Sequence, residues 1–163
     1  MGSRVWGLSV SLVLLAGCGP AAPRQEAVRT DPTVDDSYGR AVAELAALNL
    51  EARDSFKRGY PDRAAELIER GEPLSKKVMS VPQPTLEAAE AASDLDQLYG
   101  DMLFSNRNYG WARLEYQKNL ALWKHWAPQT EEGESRRKQA ESSMAECDRQ
   151  IGGGDTGKAR KGK

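Results

Sequence analysis

The stretch that decides the fold is Thr85 to Pro128, TLEAAEAASDLDQLYGDMLFSNRNYGWARLEYQKNLALWKHWAP. Thr85 offers its hydroxyl as a helix cap. The segment after it opens on Leu86, Ala88, Ala89, Ala91 and Ala92, small or slim side chains that let another helix approach closely. Leu95, Leu98, Tyr99, Met102 and Leu103 continue the apolar positions at the spacing of a helical face. Ser105-Asn106-Arg107-Asn108 supplies turn residues. A second helix follows from Tyr109 to about Ala127, where Pro128 ends it. Two helices joined by so short a turn make an antiparallel hairpin.

Outward from this hairpin the chain offers more of the same. Asp31-Pro32 and the capping-box-like pair Thr33 and Asp36 both offer helix starts. Tyr38, Val42, Leu45, Asn49, Ala52 and Phe56 then share a face until Arg58-Gly59-Tyr60-Pro61 stops the helix. Ala64, Leu67, Ile68, Gly71, Leu74 and Val78 predict a second helix, either kinked at Pro73 or broken at Gly71-Glu72-Pro73 and restarted. Val81-Pro82-Gln83-Pro84 separates it from Thr85. Thr130 opens a fifth helix, on which Ala140, Met144, Cys147 and Ile151 form a narrow stripe among charges, as expected of a helix that covers the end of a domain. No alternating run and no Asn-Gly or Asp-Gly turn between apolar segments is present. The expected class is therefore all-α, about five helices in antiparallel hairpins, with the domain spanning residues 35–151.

Tyr99-Gly100, Leu103, Tyr109, Ala112 and Tyr116 are spaced as small and large residues are in a tetratricopeptide repeat, and the segment resembles one such repeat. The family's small positions fall on Gly100 and Ala112 and its following aromatic on Tyr116. Asp96 stands where Trp is usual, and Asn119 where Ala is usual. Ala52, Gly59-Tyr60, Ala64 and Ile68 echo the pattern with what reads as one extra residue in the turn, and Ala64 to Ala112 exceeds the usual period of about 34 residues. The resemblance implies hairpins that present a surface to a protein partner; a plain antiparallel bundle fits the same periodicity.

The N-terminus carries a second resemblance. Arg4 precedes an apolar run from Val5 to Leu15, roughly half of the 20 or so residues that a membrane-crossing helix needs, and the run ends in Leu15-Ala16-Gly17-Cys18. This resembles the lipobox of bacterial lipoprotein precursors. It implies a signal peptide over residues 1–17, lipid on Cys18, and attachment to the membrane through that lipid, which two or three acyl chains make stable. Gly19, rather than Asp, after the cysteine implies the periplasmic face of the outer membrane. Residues 18–34 then read as the lipidated terminus and a Pro- and Ala-rich tether. Gly152 to Lys163 reads as a disordered basic tail. Its GGGDTGKA segment nearly spells a phosphate loop, but Ala159 replaces the Ser or Thr that would hold magnesium, and no strand precedes it.

The candidate partner-binding residues lie on the fourth helix, which holds three of the four tryptophans. Tyr109, Ala112, Tyr116, Leu120 and Trp123 share one face; Trp111, Leu114, Leu122 and Trp126 share another. The plainer reading sandwiches this helix between its neighbours. The functional one has Trp111, Leu122 and Trp126 line a groove for a partner peptide or helix. His125 is the only histidine and Cys147 the only cysteine besides Cys18, so neither a metal site nor a disulfide nor a Ser-His-Asp arrangement is expected, and no cofactor. Lys and Arg total 23 against 24 Asp and Glu, which excludes the basic field of a nucleic-acid binder. The expected protein is a non-enzymatic, lipid-anchored scaffold with a protein partner and no small-molecule substrate. The rival is a structural envelope lipoprotein that touches cell wall or anionic lipid.

Overall fold

A computed structural model describes residues 32–153. The signal-peptide and lipidation expectations, with Cys18, lie outside the described residues, as does the expected tail beyond Gly153; Gly152 and Gly153, read as the start of that tail, are instead the end of α5. Within them the chain is all-α. A 3-10 turn, Pro32–Val34, leads into α1 (Asp36–Lys57), α2 (Pro61–Met79), α3 (Leu86–Ser105), α4 (Tyr109–His125) and α5 (Glu131–Gly153).

Local chemistry sets most of the boundaries. The Asp35 carboxylate accepts from the Ser37 N–H at 2.9 Å and starts α1; Thr85 Oγ1 accepts from the Ala88 N–H at 3.3 Å and starts α3. Thr130 Oγ1 accepts from the Gly133 N–H at 3.0 Å at the start of α5. Pro61 occupies the first turn of α2, where its missing N–H costs nothing. Pro73 neither kinks α2 to a stop nor divides it: the helix runs on to Met79, and Val78 beyond the proline is fully buried.

Both hairpins close in the same way. After α1 the Tyr60 N–H reaches the Ser55 carbonyl at 2.9 Å and the Gly59 N–H reaches Phe56 at 3.0 Å. After α3 the Asn108 N–H reaches Leu103 at 2.9 Å and the Arg107 N–H reaches Phe104 at 2.9 Å. Each is a Schellman motif whose central residue is left-handed, Gly59 at φ 83° and Arg107 at φ 60°. The turns are equal in length, so the extra residue read into the first is not there. An arginine in this conformation costs roughly 1 kcal/mol that glycine avoids. Arg107→Gly should therefore raise stability by about that amount in urea denaturation.

α1 packs on α2 and α3, α2 on α3, α3 on α4, and α4 on α5. The main core lies among the first three helices around Leu45, Leu67, Val78 and Leu95. A second cluster joins α4 to α5 through Ala112, Tyr116 and Cys147. α5 thus covers the open side of α4, as its stripe predicts, except that Ile151 is half exposed. Cys147 is buried as a small apolar residue.

Candidate protein-binding groove

The first helices of the two hairpins, α1 and α3, stand side by side and leave a groove of about 530 Å³ between them. Gly39, Val42, Ala43 and Ala46 of α1 form one wall. Glu87, Glu90, Ala91 and Asp94 of α3 form the other. The side chains on α1 are short because larger ones would fill the space; Gly39, Ala43 and Ala46 are exposed and lie on one face at helical spacing. Thr33, from the 3-10 turn, and Thr85 close one end. There Tyr38 ties three helices together: its hydroxyl donates to the Val78 carbonyl and accepts from the Thr85 N–H, each at 3.2 Å.

Arg136 of α5 closes the other end. Its Nη1 donates to Asp94 at 2.7 Å and its Nε to Glu132 at 2.6 Å, and the guanidinium sits 5.6 Å from the Trp123 ring centre. Burial works against this charge, but the hydrogen bonds to Asp94 and Glu132 outweigh it and hold the group protonated. Asp94 also faces Arg53 of α1 at 3.6 Å. Beyond this bridge lies a polar depression of about 360 Å³ that includes Gln97, Asp101 and Gln139. Among the described residues Glu87 and Glu90 make no ion pair. The groove therefore combines an apolar floor, two free carboxylates on one rim and a neutralised bridge at its far end. Among the described residues that line it there is no His and no Cys.

A polar network fixes the wall behind the groove. Trp123 Nε1 donates to Ser93 Oγ at 2.8 Å, and Ser93 Oγ donates to Asn119 Oδ1 at 2.6 Å. Asn119 Nδ2 reaches Gln97 Oε1 at 3.4 Å, and Gln97 and Tyr116 both donate to Asp101 at 2.9 and 2.8 Å. Burial pushes the Asp101 carboxyl above its ordinary range, and those two hydrogen bonds draw it part of the way back. On the opposite side of α3, Asp96 meets Glu72 of α2 and Glu115 and Lys118 of α4 around a smaller cavity of about 320 Å³. Of the two departures from the repeat pattern, Asn119 is hydrogen-bonded to Ser93 and Gln97, whereas Asp96 makes no hydrogen bond or ion pair among the described residues.

The structure does not bring Trp111, Leu122 and Trp126 together. Trp111 is on the first turn of α4 and 66% exposed, next to Leu114 at 45%. Leu122 is half-buried, three turns away or about 16 Å along the axis. Trp126 lies past the end of the helix in extended conformation, packed edge-to-face on Trp123 at 5.9 Å. None of the three lines these cavities, and α4 ends two residues earlier than Pro128 alone suggests. Trp126→Ala should lower stability by about 1 to 2 kcal/mol through that lost contact, and Trp111→Ala by less than about 0.5 kcal/mol. Urea denaturation of the two variants checks this.

Tyr38, Val42 and Ala91 of the groove carry the apolar periodicity of their helices, whereas the small exposed Gly39, Ala43 and Ala46 carry no apolar signal. Their one trace in the sequence is a run on the side of α1 away from Leu45 and Leu48. His125 is exposed, and among the described residues no group of His, Cys, Asp or Glu is arranged to hold a metal ion. Among them, too, no helix is long and apolar enough to cross a membrane. No protein-family model, curated protein or solved structure matches the chain.

Proposed function

We propose that the protein is a non-enzymatic scaffold, anchored by lipid on Cys18 to the periplasmic face of the bacterial outer membrane, that holds a segment of a partner protein in the groove between α1 and α3. The observation that carries the reading is the groove itself: an apolar floor left open by small residues on α1, with free carboxylates on its α3 rim. The tetratricopeptide reading belongs to the same proposal. Its support is that the two hairpins share a turn motif and that Ala64 and Ala112 occupy equivalent buried positions after it.

Anchoring and capture have separate tests. Cys18→Ala should move the protein from the membrane to the soluble fraction; persistence in the membrane would remove the anchor from the proposal. A photocrosslinking residue at Ala43, exposed in the groove, should trap one discrete protein in cells, whereas the same residue at Ala121, exposed on α4, should not. Ala46→Trp, which fills the groove, should abolish the crosslink. Equal crosslinking at both positions would sink the groove as the binding surface.

A further inference from the structure

The chain upstream of Pro32 leaves the domain at the mouth of this groove, because Thr33 is part of its wall. Residues 24–31 read Arg-Gln-Glu-Ala-Val-Arg-Thr-Asp, with no net charge, so what matches the groove is position: a short apolar pair, Ala27-Val28, is followed by Arg29 only four residues before Thr33. The groove offers the complement: an apolar floor of Val42, Ala46 and Ala91, and on the α3 rim Glu87 and Glu90, neither held by an ion pair among the described residues. Length agrees as well. The wall from Tyr38 to Ala46 is about 12 Å long at helical rise, and eight residues of extended chain span up to about 26 Å.

We propose that residues 24–31 bind the groove in cis, with Val28 on its apolar floor and Arg29 against Glu87 and Glu90, so that a partner segment must displace the protein's own tether. A segment joined this close to its site is held at a local concentration of roughly millimolar, so an intrinsic Kd of about 0.1 mM keeps about nine grooves in ten occupied. The apparent affinity for any competing segment falls by the fraction of grooves left open, about tenfold if nine in ten are filled. The inference uses the groove but not the identity or existence of a partner, so it and the scaffold reading fail separately.

The test is a nitroxide on Gln25→Cys, which leaves Val28 and Arg29 in place, in the chain from residue 18 with Cys18→Ala; this chain retains every described residue, and buried Cys147 is spared from labelling. The amide signals of Val42, Ala46 and Ala91 should weaken several-fold, while that of Ala121 on the outside of α4 stays unchanged. Glu87→Lys with Glu90→Lys should restore them. The milder pair Glu87→Gln with Glu90→Gln should do so in part, and the dispersion of the remaining signals reports that either variant is folded. Signal loss confined to residues beside Pro32, or loss unaffected by the charge reversals, overturns the proposal. So does loss produced only by a labelled second chain, which would make the occupant another copy.

Discussion

Asp96→Asn is expected to stabilise the protein at pH 8 by on the order of 2 to 4 kcal/mol and to leave it almost unchanged near pH 4. Asp96 is partly buried on α3, and its carboxyl is pushed up to about 7, first by burial and then by Glu115, with Glu72 adding to the effect and Lys118 opposing it. Glu115 is itself almost fully buried and occupied by Lys118, whose Nζ approaches its two oxygens at 2.9 and 2.6 Å. In the unfolded chain the Asp96 proton leaves near pH 3.9. Between about pH 4 and pH 7 the folded state keeps a proton that the unfolded state has lost, so the stability this group contributes is fully present below pH 4 and is lost as pH rises through 7. Asparagine has no charge to bury. The difference between variant and wild type, from urea denaturation at a series of pH values, should grow from about zero to a plateau above pH 7. A constant difference would show that Asp96 does not titrate in this window.

The second large effect comes from one hydrogen atom's worth of space. Gly100→Ala should destabilise the protein by about 2 to 3 kcal/mol even though alanine favours a helix by about 1 kcal/mol. A Cβ at residue 100 would lie 2.5 Å from Cε1 and 2.9 Å from Cδ1 of Tyr116. That ring is buried, and its hydroxyl is held by Asp101 at 2.8 Å, so it cannot swing aside without breaking the bond. Tyr116→Leu removes the obstacle, and in that background the penalty should shrink to a fraction. Gly110 is the contrast: nothing lies within 4 Å of a Cβ there, and Gly110→Ala should be neutral or slightly stabilising. Thermal unfolding of the four variants separates close approach from a general cost of changing glycine.

Most helix ends were legible in the sequence where the deciding chemistry is local, but the start of α1 was not: Asp35 caps it, rather than Thr33. Thr85, Pro61, Gly59 and Thr130 act within a turn of themselves, and each is where its side chain or backbone predicts. Pro73 was not decidable, because the cost of an interior proline, about 3 kcal/mol, competes with burial that only the tertiary structure reveals. Here Val78, fully buried one turn further on, favours continuity. Asn119 stands where the repeat pattern has Ala, and Ser93 carries no signal of its own in the sequence. Each is satisfied by a partner 26 residues away, and Trp123 joins them from 30 residues away, a separation at which periodicity is silent. Trp126 read as a groove residue because a helix was assumed to run to Pro128; one extended residue at the helix end turned it toward Trp123. The groove was least legible of all, since it depends on the distance between α1 and α3 rather than on any residue type.

α5 also closes one side of the described domain with charge. Its solvent side is laced with short-range ion pairs, Arg137 with Glu134 and Glu141, Lys138 with Glu134, and Arg149 with Glu146. Another hairpin stacked there would have to strip water from these charges with no apolar area in return. On the proposed function, the groove between α1 and α3 seats one partner segment, and higher avidity would come from many copies held on one surface.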